Sequence, residues 1–464
     1  MHYISTRGEA PAQSFCQVLL QGLAPDGGLY VPETWPTLEA QDICDLQGAA
    51  YPEVAVRVMA PFVKGEIADQ TFADLVQRAY ESFQHPAVAP LVQLTEQHWL
   101  LELFHGPTLA FKDVAMQLLG HLFDHVLGER GERLTIVGAT SGDTGSAAIE
   151  AMRGRDAVDI FILHPQGRTS EIQRRQMTTV DDENVHNIAI KGTFDDCQAL
   201  VKEMFADRPF REEIRMGGVN SINWARVMAQ TVYYFTSAVA LGGPDRQVAF
   251  SVPTGNFGDI LAGYVAKRMG LPIAGLGIAT NVNDILCRAL ATGRYAVSQV
   301  QATSSPSMDI QVSSNFERLL FEACGRQPGT IRAVMNNLRQ SQAFTIEQQA
   351  LETIARDFSA TRIDEAETAA IIRRTYETCG MLIDPHTAVG VGAAHEMKLD
   401  RAVPIVSLAT ASPAKFPDVV KSATGIEPPL PVRLADVFTR NERYTVLDNR
   451  LDEVEAFIRA RRRK

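Results

Sequence analysis

The chain has 464 residues, 45% apolar and 21% charged, an ordinary globular composition long enough for two or three domains. Lysine and arginine total 44 against 55 acids, a formal charge of -11, which argues against a nucleic-acid groove because a phosphate backbone needs a basic surface. No apolar run approaches a membrane span, the six cysteines show no CxxC or zinc spacing, and residues 1–8 lack the pattern of a signal peptide, so a cytoplasmic protein with reduced thiols is expected.

In chain order, the first 95 or so residues read as mainly helical with short extended pieces. Asp26-Gly27-Gly28 is a turn before a short strand, and 54–62 and 73–83 carry helical apolar spacing. His85-Pro86 and Pro90 mark a boundary. Beyond it, short apolar strands at 134–137, 160–163, 185–190, 248–252, 273–278 and 403–408 alternate with amphipathic helices. That alternation predicts parallel βαβ units, an open α/β sheet covered on both faces, with chemistry at the carboxyl ends of the strands. The basic tail, Arg461-Arg462-Arg463-Lys464, reads as a solvated, frayed end.

Three loops carry candidate chemistry. After the strand at 248–252 comes Pro253-Thr254-Gly255-Asn256-Phe257-Gly258-Asp259, with a helix beginning at about Asp259. Glycines let amides converge, and a helix start adds partial positive charge, so the loop suits a phosphate as well as it suits a plain tight connection. Gly138-Ala139-Thr140-Ser141-Gly142-Asp143-Thr144-Gly145 has the same layout, and two such loops point to an anion held between them. The third is His105-Gly106-Pro107-Thr108-Leu109-Ala110-Phe111-Lys112-Asp113, where Lys112 sits at the junction of a turn and an apolar helix. A desolvated amine there has a lowered pKa and can act as a nucleophile; unaided, the same lysine would be a surface charge. His105 and His386 flank these loops and are expected to make structural hydrogen bonds.

The ordered set Gly106-Pro107-Thr108, Phe111-Lys112-Asp113, then 141–145, then 255–259 resembles the tryptophan-synthase-β-like, fold type II pyridoxal-phosphate enzymes. Within them it most resembles the threonine synthase family, in the long form with an extra N-terminal domain. The resemblance extends from 3–8 and 26–32 through 220–226, 308–310 and 384–386 to 409–416. It implies a mainly helical N-terminal domain at 1–92, a large pyridoxal-phosphate domain at 93–130 and 221–464, and a small mobile α/β domain at 131–220.

On that resemblance Lys112 forms the Schiff base with pyridoxal 5'-phosphate, and Gly255, Asn256, Phe257, Gly258 and Asp259 hold the cofactor phosphate. Asp143 lies near the cofactor's ring hydroxyl, where an ionised carboxylate is repulsive unless protonated or hydrogen-bonded to backbone amides, and Thr410 meets the ring nitrogen. Thr140, Ser141 and Thr144 would hold the substrate carboxylate, and Ser221, Asn223, Arg226 and Lys415 its phosphate. The implied reaction is that of a carbon–oxygen lyase acting on phosphate: O-phospho-L-homoserine and water give L-threonine and phosphate, in a monomer or homodimer without nucleic-acid or membrane partners. A dehydratase, a phospho-lyase releasing 2-oxobutyrate and a non-catalytic phosphate-ligand sensor are the alternatives.

Overall fold

The computed structural model describes residues 1–140 and 142–463. Two parallel sheets organise it. The larger has six strands in the order Phe358–Arg362, Ile273–Thr280, Val248–Pro253, Ile405–Ala409, His98–Glu102 and Leu91–Gln93. All are parallel except the last, a hairpin partner of His98–Glu102. The smaller has five parallel strands in the order Thr445–Asp448, Val185–Lys191, Val158–Pro165, Leu134–Ala139 and Met216–Gly217. Strands such as Val158–Pro165 are buried along their whole length, as expected when helices cover both faces. This is the mixed α/β, mostly parallel architecture expected from the strand–helix alternation.

The N-terminal unit is mainly helical, with Tyr51–Val63 and Asp69–Tyr80 as its longer helices and one small ribbon, Tyr3–Ser5 against Tyr30–Pro32. The turn before Tyr30 is organised by Asp26. Its carboxylate accepts from the Gly28, Glu9 and Ala10 amides at 2.9, 2.9 and 3.0 Å and from the Ser5 hydroxyl at 2.8 Å. Gly27 is left-handed there (φ 76°), and a Cβ on Gly28 would lie 2.1 Å from Ser5 Oγ, so neither tolerates a side chain. The unit docks on the helix Trp224–Ala240 through Trp224, whose ring stands 5.8–6.0 Å from those of Phe62, Trp35 and Tyr3.

Two expectations are corrected. Strand Thr445–Asp448 and helix Leu451–Arg461 complete the smaller sheet, so 221–464 does not all belong with the larger one. The period-two signal in Thr445–Asp448 is too short to show this, because pairing is decided by the distant Val185–Lys191 edge. The basic tail is also docked as far as Arg463. Its guanidinium meets the buried Asp159 carboxylate at 2.6 Å and the Val158 carbonyl at 2.7 Å. No helix among the described residues is long and apolar enough to cross a membrane.

The helix Lys112–Arg130 runs between the two sheets and packs on helix Asp143–Met152 of the smaller one. Gly120 makes that approach possible, since a Cβ there would lie 2.2 Å from the Ala151 carbonyl oxygen. Gly120→Ala should therefore destabilise the protein by about 1–3 kcal/mol, although alanine is the better helix former. Denaturant unfolding checks this; an unchanged or raised midpoint would mean that the two helices can part freely.

Candidate active site

The carboxyl ends of Val248–Pro253, Ile405–Ala409 and His98–Glu102 lie side by side, as their pairing requires, and all three candidate elements of the larger sheet grow from them. The His98–Glu102 end leads into the Gly106–Asp113 turn. Asp113 is fully buried and accepts from the Thr108 amide and hydroxyl, each at 2.7 Å. A Cβ on Gly106 would lie 2.4 Å from Asp113 Cβ, which explains the glycine. Burial raises the Asp113 carboxyl to about 6 against the pull of the Thr108 hydrogen bonds and of Lys415 and Arg433. The turn delivers Lys112 as the first residue of its helix, and the Phe111 amide donates to Thr410 O at 2.8 Å, fastening the turn to the end of the central strand.

Lys112 is buried, with its Nζ 3.6 Å from Asp143 Oδ2. Lys415 approaches the other carboxylate oxygen at 2.7 Å and also donates to Thr108 O at 2.8 Å. Gln173 Nε2 adds a 2.8 Å bond to Asp143 Oδ1, and a Cβ on Gly142 would occupy the place of that glutamine side chain. Burial alone would raise the Asp143 carboxyl, but the two ammonium groups outweigh it and hold it well below its ordinary range. Protonation or backbone amides are the relief expected for Asp143 from the sequence; the structure supplies two lysines instead. For Lys112 the balance falls the other way: burial depresses its pKa, helped by Lys415 and Arg226, and Asp143 offsets only part of this.

The remaining residues divide by what their polar atoms already do. Thr140 Oγ1 accepts from the Gly142 and Gly145 amides, both at 3.0 Å, and so shapes its own loop. Thr144 is half-buried in the first turn of the helix; Ser141 lies outside the described residues. Asn223 is fully buried and caps the helix Trp224–Ala240, accepting from Ala225 N at 3.0 Å and donating to Leu19 O at 2.8 Å. It therefore pins the 220–226 turn to the N-terminal unit, with one of its two amide hydrogens spent on Leu19. Ser221 is half-buried beside it. Arg226 is buried, donates to Val219 O at 3.1 Å, keeps an unpartnered Nε, and has no ion pair among the described residues. Burial lowers its pKa to about 10. His105 bonds Glu102 and His386 bonds Asp384, each at 2.7 Å, the structural roles expected of them.

The 253–259 loop fits a phosphate. Phe257 is left-handed (φ 63°), which turns the chain into the helix Gly258–Arg268. Among the described residues the N–H groups of Gly255, Asn256, Phe257 and Gly258 donate to no protein acceptor, so the loop offers free amides at a helix start. A Cβ on Gly255 would lie 2.7 Å from Ser307 O, so the loop is backed by the 305–308 segment. Asp259 turns inward, away from any direct phosphate role. Tyr233 and Tyr234 donate to its Oδ1, its Oδ2 has no partner, and burial lifts its pKa to about 7.

A buried lysine at a helix head, facing free loop amides across parallel strand ends, defines the fold type II pyridoxal-phosphate enzymes, and residues 83–338 match the family described as Pyridoxal-phosphate dependent enzyme. Residues 2–80 match Threonine synthase N terminus, and 387–458 match Threonine synthase, C-terminal. The threonine synthase of Pseudomonas aeruginosa is 55% identical over 99% of this chain and 98% of that protein. The pyridoxal-phosphate-bound threonine synthase of Brucella melitensis superposes with a TM-score of 0.98 at 57% identity, covering 100% of both chains. The yeast threonine synthase structure gives 0.95 at 41%, covering 99% of this chain and 98% of that one. The chain belongs to the threonine synthase family.

The Asp259 carboxyl makes stability depend on pH in a defined sense. Unfolded, it titrates near its ordinary value; folded, at about 7. The stabilisation from binding its proton is complete below pH ~4 and is lost as pH rises through 7. Relative to Asp259→Asn, the unaltered protein should lose roughly 4 kcal/mol between pH 4 and 8. Denaturant unfolding at the two ends checks this, and parallel profiles would mean that the carboxyl is ionised throughout.

Proposed function

We propose that this site converts O-phospho-L-homoserine and water into L-threonine and inorganic phosphate. The observation that carries the proposal is Arg226, a buried guanidinium without a carboxylate partner among the described residues, on a helix that packs against the one Lys112 begins. A buried cation of that kind is in place for an anion brought by the substrate.

Pyridoxal phosphate, when bound, supplies an electron sink for the negative charge developing at the substrate α carbon. The free amides of 255–258 would hold its phosphate, Lys112 Nζ its attachment point, and Thr410 its ring nitrogen. With its amine free, Lys112 would be a base: burial favours its neutral form, so Nζ can take the α proton. Asp143, 3.6 Å away, compensates the charge that Lys112 then acquires. A β proton passes next to the substrate's own phosphate group as the C–O bond at the γ carbon breaks; Arg226, with Ser221 alongside, meets the departing hydrogen phosphate. Lys112 Nζ gives its proton to the γ carbon, which becomes the methyl group, takes one from the water whose hydroxyl adds at the β carbon, and returns that proton to the α carbon.

Lys112, Asp143, Arg226 and Lys415 are all less than a tenth exposed, so water is excluded while the phosphate leaves. Substrate access then requires the smaller sheet, which carries Asp143, to move relative to Lys112. Thr140 and Thr144 lie on that moving side and, with Ser141, would receive the substrate carboxylate. A dehydratase would leave Arg226 without a purpose. A phospho-lyase shares every step up to loss of phosphate and differs in its product. A cytoplasmic location is in keeping with six free thiols.

Lys112→Ala should lower turnover by at least about a thousandfold. Arg226→Gln should lower kcat/KM by about a hundredfold or more. Phosphate release from O-phospho-L-homoserine with amino-acid analysis of the product checks both. Full turnover by the lysine variant, or 2-oxobutyrate in place of threonine from the unaltered enzyme, would overturn the proposal.

A further inference from the structure

The two loops that would hold phosphates are joined by a residue outside both. Asn315 precedes the helix Phe316–Ala323 and is fully buried. Its Nδ2 donates to Asn256 O of the glycine loop at 2.9 Å and to Ser221 O of the 220–226 turn at 3.2 Å. Its backbone amide makes a second bond to Asn256 O, at 3.0 Å. One carboxamide thus spends both N–H hydrogens on the two loops.

The orientation of that carboxamide is set by Arg318. This guanidinium is 1% exposed and has no ion pair among the described residues. Nη1 faces Asn315 Oδ1, Nη2 donates to Ile222 O at 2.7 Å, Nε donates to Tyr30 O at 2.9 Å, and the group lies 5.7 Å from the Trp224 ring centroid. A guanidinium has donors only, so it can face only the oxygen of the amide. The nitrogen is thereby forced towards Asn256 and Ser221. Because the C=O and N–H of a trans peptide point in opposite directions, drawing the Asn256 and Ser221 carbonyls towards Asn315 aims the Phe257 and Ile222 amides the other way. Next door, Glu317 accepts from the Thr6 hydroxyl at 2.6 Å and from Arg7 at 2.9 and 3.1 Å, so the N-terminal unit clamps the same helix.

We propose that Asn315, oriented by Arg318, is a positioning residue that sets the cofactor-phosphate loop and the substrate-phosphate turn as one unit. For its second half this rests on the substrate assignment above. The device explains a use for the N-terminal unit, whose Tyr30, Thr6 and Arg7 brace the helix carrying both residues.

Asn315→Asp in the full chain is the test. It keeps an oxygen towards Arg318, so the fold should stand, but it replaces both loop-facing N–H donors with an anion. On cofactor-stripped protein the Kd for pyridoxal phosphate, followed by absorbance, should rise about tenfold or more. On the reloaded enzyme the inhibition constant of inorganic phosphate and the KM should rise similarly, with kcat changed less and the thermal midpoint nearly unchanged. Arg318→Lys, which keeps the charge but not the three-way geometry, should move the same constants in the same direction by less, and it decides the matter should Asn315→Asp not fold. Unchanged constants in a folded variant, with or without a lower thermal midpoint, would reduce the pair to scaffolding and overturn the proposal. If the unaltered enzyme released no phosphate from O-phospho-L-homoserine, the functional assignment would fall, and the pyridoxal-phosphate constant alone would still decide the role of Asn315 at the glycine loop.

Discussion

One buried carboxylate holds this molecule in register. Asp143 belongs to the smaller sheet, while its two cations, Lys112 and Lys415, belong to elements rooted in the larger one. A charge taken out of water must be matched on the spot, and the match is geometric before it is energetic. Gln173 and the absent side chain of Gly142 fix the approach from one side. The Gly106–Asp113 turn fixes it from the other, since Lys415 reaches Thr108 O as well as Asp143. Burial depresses the pKa of Lys112, and Asp143, shared with a second lysine that takes the shorter contact, offsets only part of it.

Seen this way, the rest of the site is an exercise in leaving donors over. Backbone amides at 255–258 and the Nε of Arg226 are left without protein acceptors among the described residues. Such groups persist only if the surrounding structure is stiff enough to prevent their collapse onto neighbouring carbonyls. The stiffness comes from burial of nearly all of the helix Trp224–Ala240 and from the N-terminal unit packed on Trp224.

Much of this was legible from the chain alone, for physical reasons that differ by element. Buried parallel strands such as Val248–Pro253 announce themselves as apolar runs, and loops that cradle anions announce themselves by glycine. Lys112 and the 255–258 loop stood out by residue type and order, and the roles proposed for them came from the family resemblance. By contrast, His98–Glu102 is an interior strand yet begins with a histidine, which is tolerated because Ser407 on the neighbouring strand meets it at 2.8 Å. The pinning of Asn223 to Leu19, and of Asn315 to Asn256, likewise depends on partners far away in sequence. No local pattern encodes such bonds: asparagine before a helix looks the same whether its amide is spare or spent.

The closure of the smaller sheet has a consequence for biosynthesis. Four of its five strands lie between Leu134 and Gly217, but the fifth, Thr445–Asp448, emerges only after the whole of the larger sheet's later strands. Throughout that interval on the ribosome, Val185–Lys191 presents an open row of amides and carbonyls to the surrounding solution. A nascent chain in this state is a template for strand addition by any other extended segment, including one from a neighbouring copy on the same message. The late strand therefore acts as the molecule's own edge protector, and the pace at which it is delivered governs how long the half-built sheet is vulnerable.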